Sequence, residues 1–258
     1  VQESAVKKYA VEHGLPLLQP AKLKDPEFLS ALAAWKADLF VVVGFRMLPQ
    51  EVWGMPKLGT FNLHAALLPQ YRGAAPVNWA IINGERMTGV TTFMLDHNID
   101  TGGIILRQEC RIEPDDTAGT LHDKLMALGA KLVVETTEGI FQHNVETRLQ
   151  RSFIQGSEEL RPAPKLTKEN TRIDWTRPAS EVCNLVRGLS PCPAAWTTLV
   201  SDGKAPVECK VFFGKVVAPE PSPQTSDAPP AGNRAPGTLS SDGNAPAAVA
   251  PGTLSSDG

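Results

Sequence analysis

Between Asp38 and Gly44 the chain reads DLFVVVG. Leu39 to Val43 form an unbroken apolar run rich in β-branched valine. A strand of that kind has no face to offer water, so it predicts a sheet covered on both sides. The flanking sequence supplies candidate covers. SAVKKYAVEHG has apolar residues at helical spacing and a glycine stop at Gly14. DPEFLSALAAWKA opens with Asp25 as N-cap and Pro26 at the first helical position. Further on, LGTFNLH, GVTTFML and GGIILRQECRI read as strands, Pro76 to Asn83 as a short helix, and TAGTLHDKLMALGAKLVVETTEGI as a long helix capped by Thr117 or Thr120.

Strands separated by helices predict an α/β domain over residues 1–147, with a mostly parallel, Rossmann-like sheet. Such a domain opens on a strand and a glycine-rich turn. Here the first residues already read as a helix and no initial methionine is present, so the first strands are expected to be missing. No apolar stretch approaches the roughly 18 residues of a membrane span, and the polar opening VQESAVKKYA is not a signal peptide. Four scattered cysteines without CxxC spacing read as free thiols of a cytoplasmic protein.

Charge divides the chain. Residues 1–147 carry a net of −4, residues 148–218 a net of +4 and the last 40 a net of −3. A basic segment after an acidic one is compatible with a negatively charged partner, or with ordinary surface scatter. Residues 148–170, polar and containing Pro162 and Pro164, predict a linker. From 171 to 258 a small, partial β-barrel-like domain is expected. It would hold a helix from Ala179 to Arg187 stopped by Gly188, and two strands, AAWTTLV and VECKVFFGKVV. After 218 the composition turns to proline and glycine with no aromatic residue, and APGTLSSDG occurs at both 235–243 and 250–258. Such a segment cannot build a core.

A site can be placed from the pattern. Sheets of this class bind ligands beyond the carboxyl ends of their strands. Here FRML follows one strand, NLH ends the next, and the polar loop DHNIDTGG follows a third. Asn62 and His64 are two apart, on one face of an extended strand, and Asp100 lies in the third loop. A carboxamide, an imidazole and a carboxylate suit acyl transfer to an amine. Asn62 could donate to the developing oxyanion, His64 could stabilise it or move protons, and Asp100 could orient the ring. The same groups could instead satisfy backbone atoms. Metal binding by His64 and Asp100 lacks a third ligand, so no metal is expected. Arg72 could bind an anion or pin its loop to a carboxylate. His13, His97, His122 and His143 read as surface or structural residues, and Phe45, Met47, Leu48, Phe93, Met94 and Leu95 as core or the lining of a flat apolar pocket.

FNLHAALLPQYRGAAPVNWAI resembles the signature Asn-x-His-x-Ser-x-Leu-Pro-x-Tyr/Trp-Arg-Gly-Ala-x-Pro of the 10-formyltetrahydrofolate-dependent formyltransferase family, with Ala66 where serine is common. LDHNIDTGGII resembles the family loop that carries the catalytic aspartate. The resemblance implies catalytic roles for Asn62, His64 and Asp100. It also implies folate contacts around Arg46, Met47 and Leu48 and around Asn98 and Ile99, with 10-formyltetrahydrofolate as formyl donor. KLTKENTRIDW and NLVRGLSPCPAAWTTL resemble the junction and second domain of the branch that formylates methionyl-initiator tRNA in translation initiation. The alternative acceptor is an amino-sugar nucleotide. In that branch the second domain presents a basic face to tRNA, for which Lys165, Lys168, Arg172, Arg177 and Arg187 are the candidates. A monomer is expected, and a chain starting at Val1 is expected to be weakly active or inactive.

Overall fold

A computed structural model describes residues 3–97, 100–154, 156–157 and 159–217. The first helix, α1 (Ala5–Glu12), starts where the Ser4 hydroxyl accepts the Lys7 N–H at 3.2 Å. It ends on Gly14 at φ +62°, with Leu15 N–H donating to Ala10 C=O at 2.8 Å. Only a residue tolerant of left-handed backbone closes a helix in this way. Helix α2 (Pro26–Ala33) opens as expected, with the Asp25 carboxylate accepting the Glu27 N–H at 2.9 Å.

Then come β1 (Phe40–Val43), the short α3 (Gln50–Trp53), β2 (Thr60–His64), α4 (Pro76–Ile82), β3 (Met87–Met94), β4 (Ile104–Arg111) and the long α5 (Ala118–Phe141). Among the described residues the four strands lie in the order β1-β2-β3-β4. The β1–β2 pair is parallel, whereas β2–β3 and β3–β4 are antiparallel. The fold is the expected α/β class, but the described part of its sheet is mixed. The β3–β4 connection is too short for a crossover helix, which forces an antiparallel return.

One face of the sheet is sealed by α5. Leu121, Leu125, Leu132 and Ile140 recur at intervals of four, seven and eight residues, on one side of the helix, and are buried. They pack with Val90, Cys110 and Ile112 in one cluster and with Phe61 and Ile105 in another. Each fully buried side chain of this size contributes roughly 1.5–3 kcal/mol. Gly129 of α5 sits over β2 so closely that a Cβ there would lie 2.7 Å from Leu63 Cδ2. Leu63 is therefore aimed at the helix, and Asn62 and His64, its chain neighbours, at the other face. The two-sided burial expected for β1 is not found. Val41 is 43% exposed and Val43 58%, because α5 packs on β3 and β4, away from this edge.

The stretch after α5 runs back to the sheet. Arg148 and Ile104 exchange backbone hydrogen bonds, both at 2.8 Å, ahead of a 3₁₀ turn at Gln150–Phe153. Helix α6 (Ala179–Leu189) and the antiparallel strands β5 (Ala195–Leu199) and β6 (Val207–Val211) follow. Val186, Leu189, Ile173 and Ala195 form their core. Gly188 does not stop α6. It lies in the last turn, where a Cβ would meet Ile82 Cγ1 at 2.7 Å and Asn78 O at 3.1 Å. Its missing side chain lets α6 press onto α4. The proline-rich tail and its repeat lie outside the described residues. Gly188→Val should destabilise the protein by about 2 kcal/mol through overpacking, read as a lower urea midpoint. An unchanged midpoint would contradict the close α4–α6 contact.

Candidate active site

The face of β2 that α5 leaves free carries the candidate site residues Asn62 and His64. His64 is 6% exposed and faces Thr91 of β3 across the ladder, while Asn62 faces Phe93. Asn62 Oδ1 is buried without a hydrogen-bond partner among the described residues. An unsatisfied buried polar atom costs about 1–3 kcal/mol, so this carboxamide is set for a partner from outside the chain.

His64 Nε2 lies 2.8 Å from the carbonyl oxygen of Tyr71. A carbonyl only accepts, so Nε2 carries the hydrogen and the neutral ring keeps its lone pair on Nδ1. That atom is 4.0 Å from Asp100 Oδ2. Burial pushes the His64 pKa below the ordinary value. The Asp100 charge and the Tyr71 carbonyl pull it upward, but less strongly. The resting ring is thus neutral, and a proton arriving at Nδ1 would find a carboxylate facing it.

Asp100 is placed by a route the sequence did not suggest. Since β3 runs antiparallel to β2, its carboxyl end at Met94 pairs with Phe61, not with His64. The following loop folds back over the sheet face, and Asp100 Oδ2 accepts the Gly73 N–H at 3.1 Å. Three strand ends do not converge; two do, and a returning loop supplies the third group. Gly73 has φ +127°, and a Cβ there would land on the Ala163 carbonyl. Only glycine allows this close approach.

The segment Arg46, Met47, Leu48 borders a pocket of about 960 Å³ with Ala21 to Lys24 and Pro49 to Glu51. Asn62, His64 and Asp100 are not among its lining residues. The Arg46 guanidinium donates to Pro20 O at 2.8 Å and Ala21 O at 3.2 Å, so it fixes one wall to another. Phe45 and Met47 are exposed instead of forming core, Met47 by 70%. Asn98 and Ile99 lie outside the described residues.

Other side chains have roles the pattern did not reveal. Arg72 pairs with a carboxamide, where a loop-pinning carboxylate was one expectation. It donates to Gln150 Oε1 from Nε at 3.0 Å and Nη2 at 2.6 Å. Arg187 is half-buried, with Nη1 donating to Asp116 O at 3.1 Å, so it joins α6 to the turn before α5 and is not a free surface cation. Lys168 pairs with Glu208, and Arg177 with Glu181, at exposed positions. Lys165 and Arg172 are exposed. Among the described residues no His, Cys, Asp and Glu cluster is arranged to hold a metal, and no helix is long and apolar enough to cross a membrane.

In an NMR titration His64 should protonate below the ordinary histidine value of 6.5, and lower still in Asp100→Asn. Because the folded-state pKa is depressed, the unfolded chain takes up the proton first. Stability from the neutral ring is therefore complete above about pH 6.5 and lost as pH falls toward the folded value. His64→Asn should flatten that part of the stability–pH curve.

Residues 1–137 match the family described as Formyl transferase, and residues 165–253 match Formyl transferase, C-terminal domain. A methionyl-tRNA formyltransferase of Bacteroides fragilis is 51% identical over 243 residues, covering 94% of this chain and 71% of that relative. Across the curated relatives first matched, the chain spans 61% to 71% of their length. Among solved structures, a sugar N-formyltransferase from Shewanella superposes with TM-score 0.62 at 18% identity, over 81% of each chain. HypX from Aquifex aeolicus, solved with tetrahydrofolic acid, superposes with TM-score 0.56 at 24% identity, over 67% of this chain and 29% of that one. These two share the fold. The family match spans residues 1–137, and a methionyl-tRNA formyltransferase shares half the positions over 94% of this chain, so the chain belongs to the formyl transferase family, in the methionyl-tRNA formyltransferase branch.

Proposed function

We propose that this protein transfers a formyl group from 10-formyltetrahydrofolate to the α-amino group of methionyl-initiator tRNA, in the cytoplasm, at the start of translation. The carrying observation is the buried, unpartnered carboxamide oxygen of Asn62 beside a neutral His64 that faces Asp100. The substrate amine attacks the formyl carbon, and the carbonyl oxygen becomes negative. The Asn62 side chain is the group to meet that oxygen and the incoming amine, which would satisfy its orphaned atom. His64 Nδ1, with its lone pair free, accepts the proton the amine must lose. The imidazolium so formed lies between the Tyr71 carbonyl and the Asp100 carboxylate, which favour the charged form. The C–N10 bond then breaks, and tetrahydrofolate leaves with a proton. No nucleophilic side chain is needed.

The pocket beside Arg46, Met47 and Leu48 suits the folate. Met47, Leu48 and Met55 give it apolar walls, and Lys22 borders it with positive charge, while Lys24 is paired with Glu51. Relatives of 51% to 59% identity named methionyl-tRNA formyltransferases favour a charged tRNA over a sugar nucleotide as acceptor. Lys165 and Arg172, the latter over the Trp196 ring, are the exposed cations we assign to its phosphates.

In the product of the complete open reading frame, Asn62→Ala and His64→Ala should each lower kcat by about 10²-fold or more with tRNA affinity retained. Turnover at the wild-type rate in either would defeat the reading. The kcat–pH profile should lose rate below the ordinary histidine range as Nδ1 takes up a proton, and Asp100→Asn should move that limb to lower pH.

Lys165→Glu and Arg172→Glu should weaken tRNA binding in filter-binding assays and reduce the slope of log K against log salt by about one each. Arg187→Ala should instead lower the melting temperature, since its guanidinium is committed to backbone carbonyls.

A further inference from the structure

The Asp100 loop has to be held in an unfavourable arrangement. It returns from the far end of β2, and Asp100 itself sits at φ +53°, a left-handed conformation that is costly for a residue other than glycine. The Gly73 N–H holds its carboxylate, but something must also hold its backbone. Gln150 does so. It is 4% exposed, and its Nε2 donates to Asp100 O at 2.7 Å and to Gly102 O at 3.0 Å. Its Oε1 takes both donors from Arg72. That grip fixes which way the carboxamide points, since a flipped amide would set its NH₂ against a guanidinium that can only donate. The Arg148–Ile104 bridge, two residues earlier, brings Gln150 to this spot.

We propose that Gln150, gripped by Arg72, is a positioning residue that keeps Asp100 folded back against His64. Residues 71 to 73 then hold the site by three successive contacts. Tyr71 C=O holds His64, Arg72 holds Gln150 and through it the Asp100 backbone, and Gly73 N–H holds the Asp100 carboxylate. The charge facing the His64 ring is that of Asp100. Arg72 is turned to Gln150, while Glu85 and Arg161 meet the Tyr71 hydroxyl side of the network. The inference rests on the formyl-transfer reading only for its effect on rate.

Two variants test it in the complete protein. Gln150→Met keeps length and neutrality but removes every hydrogen bond. Gln150→Glu keeps an acceptor for Arg72 and loses the two donors to the loop. With Asp100 released, the NMR titration of His64 in Gln150→Met, without substrates, should move to lower pH than in wild type. In both variants kcat should fall about tenfold or more, as expected for a misplaced catalytic group, while KM for folate and tRNA stays within about twofold. A merely structural role would lower the melting temperature without moving the His64 titration. An unchanged titration in Gln150→Met, or a wild-type kcat in Gln150→Glu, would overturn the proposal. Should Gln150→Met fail to fold, the kcat of Gln150→Glu decides. Should the wild-type protein transfer no formyl group, the functional reading fails, while the ring titration still reports on positioning.

Discussion

Tyr71 holds its backbone at φ +59°, and its carbonyl takes the hydrogen on Nε2 of His64. That contact decides the tautomer of a buried imidazole and leaves Nδ1 as its basic atom. Much of the surrounding structure serves to keep Tyr71 where it is. Its N–H donates to Arg161 O at 2.7 Å, and its hydroxyl donates to Glu85 at 2.6 Å. Its ring packs in a cluster with Ala66, Ala163 and Trp79. Ala74 N–H and Ala163 N–H, bonded to Ala163 O and Arg72 O, extend the same seam. A left-handed residue other than glycine survives only where its surroundings over-determine it, and here backbone, hydroxyl and ring all do so.

The other face has a simpler logic. A 24-residue helix with small residues where it crosses the sheet comes close enough to pack on the partly buried Leu63, and alternation does the rest. Asn62 and His64 point where they do because Phe61 and Leu63 are needed on the helix side. The catalytic candidates are thus placed by hydrophobic packing they do not share. At the other end of the chain, α6 is drawn onto α4 by the absence of a side chain at Gly188 and tied to the start of α5 by Arg187.

Most elements were legible from local chemistry. Asp25, Pro26, Thr117 and Gly14 mark helix ends as their side chains or backbone freedom require, and most strands lie where apolar runs place them, although β6 ends at Val211, short of the FFGKVV that reads as its continuation. The site was legible as far as Asn62 and His64, because two residues on one strand share a face whatever the rest of the fold does. Strand direction was not, since periodicity is the same for parallel and antiparallel strands. Asp100 was therefore assigned to the right neighbour by the wrong path. Gly188 read as a helix stop, because a close interhelix contact leaves no local signature. Arg187 read as a cation for phosphates, and Arg72 as a ligand of an anion or a carboxylate, for the same reason: the backbone carbonyls and the carboxamide they bond lie far along the chain.

Gln150 stands two residues beyond the bridge that fastens Arg148 to Ile104. Side-chain direction along such an extended stretch alternates, so a one-residue insertion or deletion there would turn the carboxamide away from its loop. Chain length between the bridge and the 3₁₀ turn is thereby as constrained as residue identity. Beyond the turn the chain is tied down again where Gln70 Nε2 donates to Glu159 O and Tyr71 N–H to Arg161 O, so a change of length before Phe153 would be felt at the site itself.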